Sequence, residues 1–97
     1  MTLKIEQIFG EGKTRIRLSG QLRSEHLGQL KTEIARHRSK VSLDLAEVER
    51  VDLDGVRFLI DCESAGISIL HCSPYIREWM LQERNRLKDQ SEPGMIH

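Results

Sequence analysis

Aromatic side chains are scarce: Phe9, Phe58, Tyr75 and Trp79 are 4% of the 97 residues. Four scattered rings make no base-stacking platform, which excludes a single-strand nucleic-acid groove. Net charge is also lacking, since fifteen Lys and Arg meet fifteen Asp and Glu. A general nucleic-acid binder driven by phosphate neutralisation is therefore not expected. No apolar run approaches the ~20 residues that span a bilayer, so no membrane span is expected. The two cysteines, Cys62 and Cys72, stand ten apart with no C-x-x-C and no paired histidines. That pattern argues against a disulfide framework and a zinc site and suits two packing thiols in a reducing compartment. The opening M-T-L-K-I-E places an acidic residue where a signal peptide would be apolar, which predicts a cytoplasmic protein.

Glycines at 10, 12, 20, 28, 55, 66 and 94 never take the spacing of a phosphate-binding loop. A Cys–His nucleophile pair would need His26, His37 or His71 beside a thiol, and His71 next to Cys72 in an extended segment points to the opposite face. No catalytic residue, metal or cofactor is expected, and the chain is not read as an enzyme.

What is present is an uneven charge distribution and a clear alternation of elements. Residues 1–40 hold nine basic and four acidic side chains (net +5), whereas residues 41–66 hold two and seven (net −5). The acidic middle marks either a solvated surface or an electrostatically distinct protein interface.

Leu3, Ile5 and Phe9 begin a strand, Gly10 to Gly12 supply a turn, and Thr14 to Leu18 alternate again, which predicts a hairpin. After Gly20 the period becomes helical, with Ser24 as the N-cap and Leu27, Leu30 and Ile34 on one face, ending near Arg38. Val41, Leu43 and Leu45 alternate with Ser42 and Asp44 as a third strand. A second helix is predicted from near Asp54 to Ala65, with Leu53, Val56, Leu59 and Ile60 as its apolar stripe and Gly66 as its left-handed stop. Ile67 to Ile69 form a short fourth strand. Ser73 and Pro74 then start a third helix, whose buried side carries Ile76, Trp79, Met80 and Leu87.

The order β-β-α-β-α-β-α predicts an α/β fold, a four-stranded mixed sheet with helices mainly on one face. Strands that alternate polar with apolar leave the other face, carrying Lys4, Glu6, Arg15, Arg17, Ser42, Asp44 and Ser68, to solvent. Residues 1–88 are read as a single domain and residues 89–97 as a frayed tail.

The stretch L-D-L-A-E-V-E-R-V-D-L-D-G-V-R-F-L-I, from Leu43 to Ile60, resembles a STAS domain, the family named for sulfate transporters and anti-sigma-factor antagonists. Asp44 matches the family's strand aspartate, and Val48 and Val51 the apolar anchors of a short loop. Asp52 and Gly55 match the first and last positions of an Asp-Ser-Ser/Thr-Gly turn that opens a helix. The resemblance extends over roughly residues 3–85, including Leu18 to Gly20 and the A-G-I-S-I-L strand. It implies a helix N-terminus that accepts a phosphate on a hydroxyl and, through that switch, binds or releases an anti-sigma kinase.

By position the phosphoacceptor is residue 54, which here is Asp54, with Leu53 in place of the preceding serine. A carboxylate accepts no phosphate from a Ser/Thr kinase. It supplies a fixed negative charge or serves as an N-cap worth about 1 kcal/mol. Arg57, where the family often has a small residue, is expected to pair with Asp54 or Asp61. The resemblance thus implies a partner-binding surface of Asp52, Leu53, Asp54, Gly55, Arg57, Phe58 and Asp61. Its partner would be an anti-sigma-factor kinase or related regulator. A cytosolic STAS subunit of a phospholipid-transporting ABC system, docking on its ATPase, is the alternative. A homodimer is left open.

Overall fold

The computed structural model describes residues 3–37 and 40–90. Strand β1 (Leu3–Gly10) turns back through Glu11 and Gly12, at φ 48° and 76°, into β2 (Lys13–Leu22). Two successive left-handed residues give the tight turn that matches strand twist. A 3-10 turn at Ser24–His26 leads into α1 (Leu27–Ala35). Then follow β3 (Lys40–Val51), α2 (Leu53–Ser64), β4 (Ser68–Leu70) and α3 (Pro74–Gln90). Of the expected tail, residues 89–97, Asp89 and Gln90 instead complete α3, and residues 91–97 lie outside the described residues.

The sheet order is β1-β2-β3-β4, antiparallel between β1 and β2 and parallel thereafter. Because each strand lies beside the one before it, right-handed crossovers set α1 and α2 on the same face, as the sequence predicts. Ile16, Leu18, Leu43 and Leu45 line that inner face and are buried with Leu30, Val56, Leu59, Ile60, Ile76 and Met80. Leu27, Ile34, Ile67, Ile69 and Trp79, also expected inside, are partly buried against this core.

The ends of α2 and α3 follow local chemistry. The Gly66 N–H donates to Glu63 O at 3.1 Å and the Ile67 N–H to Cys62 O at 3.0 Å, with Gly66 at φ 95°. This paired closure needs a left-handed residue, and glycine takes it without strain. Ser73 Oγ accepts from Ile76 N–H at 3.3 Å, capping α3 as read from Ser73-Pro74.

Three expectations change. Residues 46–51 are not a loop: β3 continues to Val51 because β2 also runs on to Leu22, and the two stay paired through register shifts after Arg17 and Gly20. Val48 and Val51 anchor the core from this strand extension. Ser24 is not the cap of α1, which follows the 3-10 turn and has His26 at its N-cap position. Leu53, placed in the apolar stripe, is 38% exposed in the first turn of α2.

The α2–α3 contact is reinforced by charge. Glu63 receives Arg77 Nη1 and Arg84 Nη2, each at 2.9 Å. The hydrogen bond from Arg77 holds the Glu63 carboxyl below its ordinary range, helped by the charges of both arginines and opposed by burial. A carboxylate whose pKa is depressed on folding stabilises above its unfolded value, about 4.3, and loses that contribution as pH falls through the folded value. Acid unfolding of Glu63→Gln is therefore expected to be less steep than that of the parent below about pH 4.3. With Glu63 about one-third exposed, the difference at neutral pH should stay near 0.2–1 kcal/mol, roughly the range for solvent-screened pairs. Parallel acid-stability curves of the two proteins would count against this account.

The candidate partner-binding surface

Asp52 is the organising residue of the α2 N-terminus. Its Oδ1 accepts from Gly55 N–H at 2.8 Å and its Oδ2 from Ser24 N–H at 2.9 Å. One carboxylate thus satisfies orphan N–H groups at the start of α2 and at the start of the 3-10 turn before α1. The Asp52 N–H donates to Leu22 O at 3.2 Å, tying this corner to the end of β2. Gly55 completes it by close approach. A Cβ there would lie 2.9 Å from the Leu22 carbonyl oxygen and 3.2 Å from Asp52 Oδ1, so only glycine fits without moving backbone.

Asp54 is not the cap, which corrects the simpler of its two sequence readings. It stands second in α2, exposed, and forms no hydrogen bond or ion pair among the described residues. Its charge favours the positive end of the helix dipole and otherwise faces solvent.

Arg57 pairs with neither Asp54 nor Asp61. Its Nε donates to Glu83 Oε2 on α3 at 2.9 Å, and Glu83 is only 4% exposed. Sequence reasoning missed Glu83, because nothing in the order of residues relates positions twenty-six apart on different helices. Phe58 turns into the core at 6% exposure and Gly55 is buried. The residues of the expected surface that reach solvent are therefore Leu53, Asp54, Asp61 and the half-buried Arg57, with Asp52 beneath them. Beside Asp61 a 260 Å³ groove opens between α1 and α2, lined chiefly by Ile34, Phe58, Cys62 and Ile67 and flanked by Lys31.

Asp44, expected on the open face, is 1% exposed. Its Oδ1 accepts from Ala46 N–H at 3.0 Å, while Arg15 and Arg17 approach Oδ2 at 3.9 and 3.7 Å. The long arginine stems reach across the strand and remove it from water.

Neither thiol is built for chemistry. Burial, with the nearby Asp61 charge, pushes the Cys62 thiol up to about 11. Cys72 is also raised, first by burial. Both are free. A thiol raised this way is mostly protonated at neutral pH and a poor nucleophile. Among the described residues no three His, Cys, Asp or Glu converge as a metal site, and no helix is long and apolar enough to cross a membrane.

A mixed four-stranded sheet carrying helices on its inner face, with an acidic cap leading into α2, defines the chain as a STAS domain in architecture. Residues 9–75 match the family model described as Mlab, STAS domain, and the chain belongs to that family. Its fold is similar to that of the anti-sigma factor antagonist SpoIIAA in its unphosphorylated form, with a TM-score of 0.61 at 14% identity over 94% of this chain and 99% of that one. A protein from Shewanella loihica PV-4 with a SpoIIAA-like fold also aligns, with a TM-score of 0.46 at 14% identity over 95% of this chain and 80% of that one. No curated protein sequence matches the chain.

Proposed function

We propose that this protein is a non-enzymatic interaction module that binds a protein partner at the N-terminal half of α2, with Asp54 taking the place of a phosphorylatable residue. The observation that carries this reading is the division of labour between two aspartates. Asp52 makes both capping bonds, and Asp54 remains exposed and unpaired among the described residues. A carboxylate free of structural duty at this position offers a partner a constant negative charge, smaller than a phosphoserine's, that no kinase or phosphatase controls. In the anti-sigma-antagonist setting the partner is a switch-protein kinase or a relative of one, in the cytoplasm of a bacterium.

The Mlab family match keeps a second reading beside it, a cytosolic STAS subunit that uses the same surface to dock on the ATPase of a phospholipid-transporting ABC system. Co-purification of the tagged full chain distinguishes the two by which class of ATP-binding protein it retains.

Asp54→Ser is the decisive variant for the anti-sigma-antagonist setting. Serine leaves Asp52 and its two bonds in place, so melting should change by less than about 0.5 kcal/mol, as for ordinary surface substitutions. If Asp54 acts as the phosphate surrogate, titration calorimetry should show the serine form binding the anti-sigma kinase more tightly by about 1–3 kcal/mol, the cost of a mismatched charge at an interface. Equal affinities would remove the surrogate role. Phosphate incorporated into the parent chain at Ser64 or Ser42 would overturn independence from phosphorylation.

A further inference from the structure

The outer face of the sheet, turned away from α1 and α2, carries a second surface that the α2 reading does not use. The register sets Ile8, Arg15, Ser42 and Ser68 in one row across the four strands. Glu6, Arg17, Asp44 and Leu70 lie in the next row, and Lys13 faces Lys40 at the other end. Two depressions meet on this face. One, of 330 Å³, is lined by Lys13, Arg15, Lys40, Ser42, Ser68 and Leu70 among others; the second, of 280 Å³, adds Ile8 and Phe9. Lys13, Arg15 and Ser42 line both, so the two form one trough across the strands.

The charges in this trough are out of balance. Lys13, Arg15, Arg17 and Lys40 share this face with two carboxylates: the buried Asp44, which only the two arginines approach, and Glu6, which stands opposite Arg17 and pairs with Lys4 at 3.4 Å. Lys13 and Lys40 make no hydrogen bond or ion pair among the described residues. Like charges directly opposite each other on neighbouring strands are unfavourable. Apolar surface stands at the same place: Ile8, which faces Arg15 in the register, is 43% exposed. An isolated exposed apolar residue is ordinary, but this one borders the opposed lysines and Arg15.

We propose that this trough is a docking surface for an acidic segment of a partner protein, its carboxylates against Lys13, Lys40 and Arg15 and its apolar side chains against Ile8 on one side and Leu70 on the other. Charge complementarity selects this occupant. An anion neutralises the opposed lysines, and the apolar rims give a peptide contacts that a bare oxyanion cannot use. Four strands at about 4.8 Å spacing span about 14 Å between the outer strands, a distance that about ten residues of helix would cover.

The test is an amide chemical-shift titration of the full chain with a synthetic amphipathic peptide of about fourteen Glu and Leu residues, long enough to overhang both edges. Its Gln-for-Glu counterpart, inorganic phosphate and phosphatidylglycerol vesicles are run alongside. The Glu peptide is expected to shift the amides of Lys13, Arg15, Ser42 and Ser68, to bind about tenfold or more tightly than the Gln peptide, and to weaken with salt. Lys40→Glu should abolish the shifts without lowering the melting temperature, because it replaces an opposed like-charge pair with an attractive one. Four results overturn the proposal: binding unaltered in Lys40→Glu, equal binding of the two peptides, the same shifts with phosphate alone, or recruitment to vesicles in place of the peptide. Salt-sensitive self-association of the chain through this face also overturns it, since the occupant would then be a second copy.

Discussion

Asp52→Ala is expected to lower stability by about 2–3 kcal/mol, because one substitution removes two caps that are each worth about 1 kcal/mol or slightly more. Oδ1 holds the first turn of α2 and Oδ2 the backbone at Ser24. The alanine variant therefore leaves two N–H groups without their partner at the corner where β2 ends. In a domain of this size each kcal/mol corresponds to roughly 4–8 °C in melting temperature, so the shift should be near 10 °C or more. Asp52→Asn gives a finer reading. Its side-chain oxygen can still accept from Gly55, while its NH2 faces the Ser24 N–H, so about half the loss should return. If both variants melted with the parent, the shared cap would contribute nothing and water would serve both N–H groups equally well. Asp54→Ala, by contrast, should leave melting nearly unchanged, which separates the two aspartates by thermal denaturation alone.

The second large effect is at Leu59. It is fully buried on the face of α2 that meets the sheet, and truncation to alanine should cost about 2–5 kcal/mol through lost transfer energy and a residual cavity. For a domain whose total stability is on the order of 5–15 kcal/mol, the upper end would populate the unfolded state measurably at physiological temperature. Urea denaturation is the suitable measurement, with a fall in midpoint at unchanged slope as the expected result. An unchanged midpoint would mean that α2 presents another face to the core.

These two residues differ in how far the sequence reveals them. Leu59 is legible because helical periodicity with Val56 and Ile60 places it inside whatever α2 packs against. Gly66 and Ser73-Pro74 are legible for the same kind of reason, since their partners lie within five residues along the chain. The cap of α2 is half legible. The N-cap-to-N3 spacing of Asp52 and Gly55 is present in the sequence, yet the resemblance draws attention to residue 54, and nothing local shows that Asp52 also holds Ser24 from across the fold. Gly55 matches a motif position, but the reason for glycine there belongs to another strand: the Leu22 carbonyl oxygen would stand 2.9 Å from any Cβ at this position.

The order of amino acids by itself determined the element sequence, the hairpin, the one-sided sheet and part of the core, because these depend on turn chemistry and on periods of two and 3.6 residues that act over a few positions. Only the tertiary structure decided how far β3 runs, that the capping Asp52 also holds Ser24, where Arg57 finds its carboxylate, why Asp44 is buried, and that Lys13 meets Lys40. Each of those joins residues more than twenty positions apart. Such contacts exist only once the intervening chain has closed its loops and the sheet has set its register.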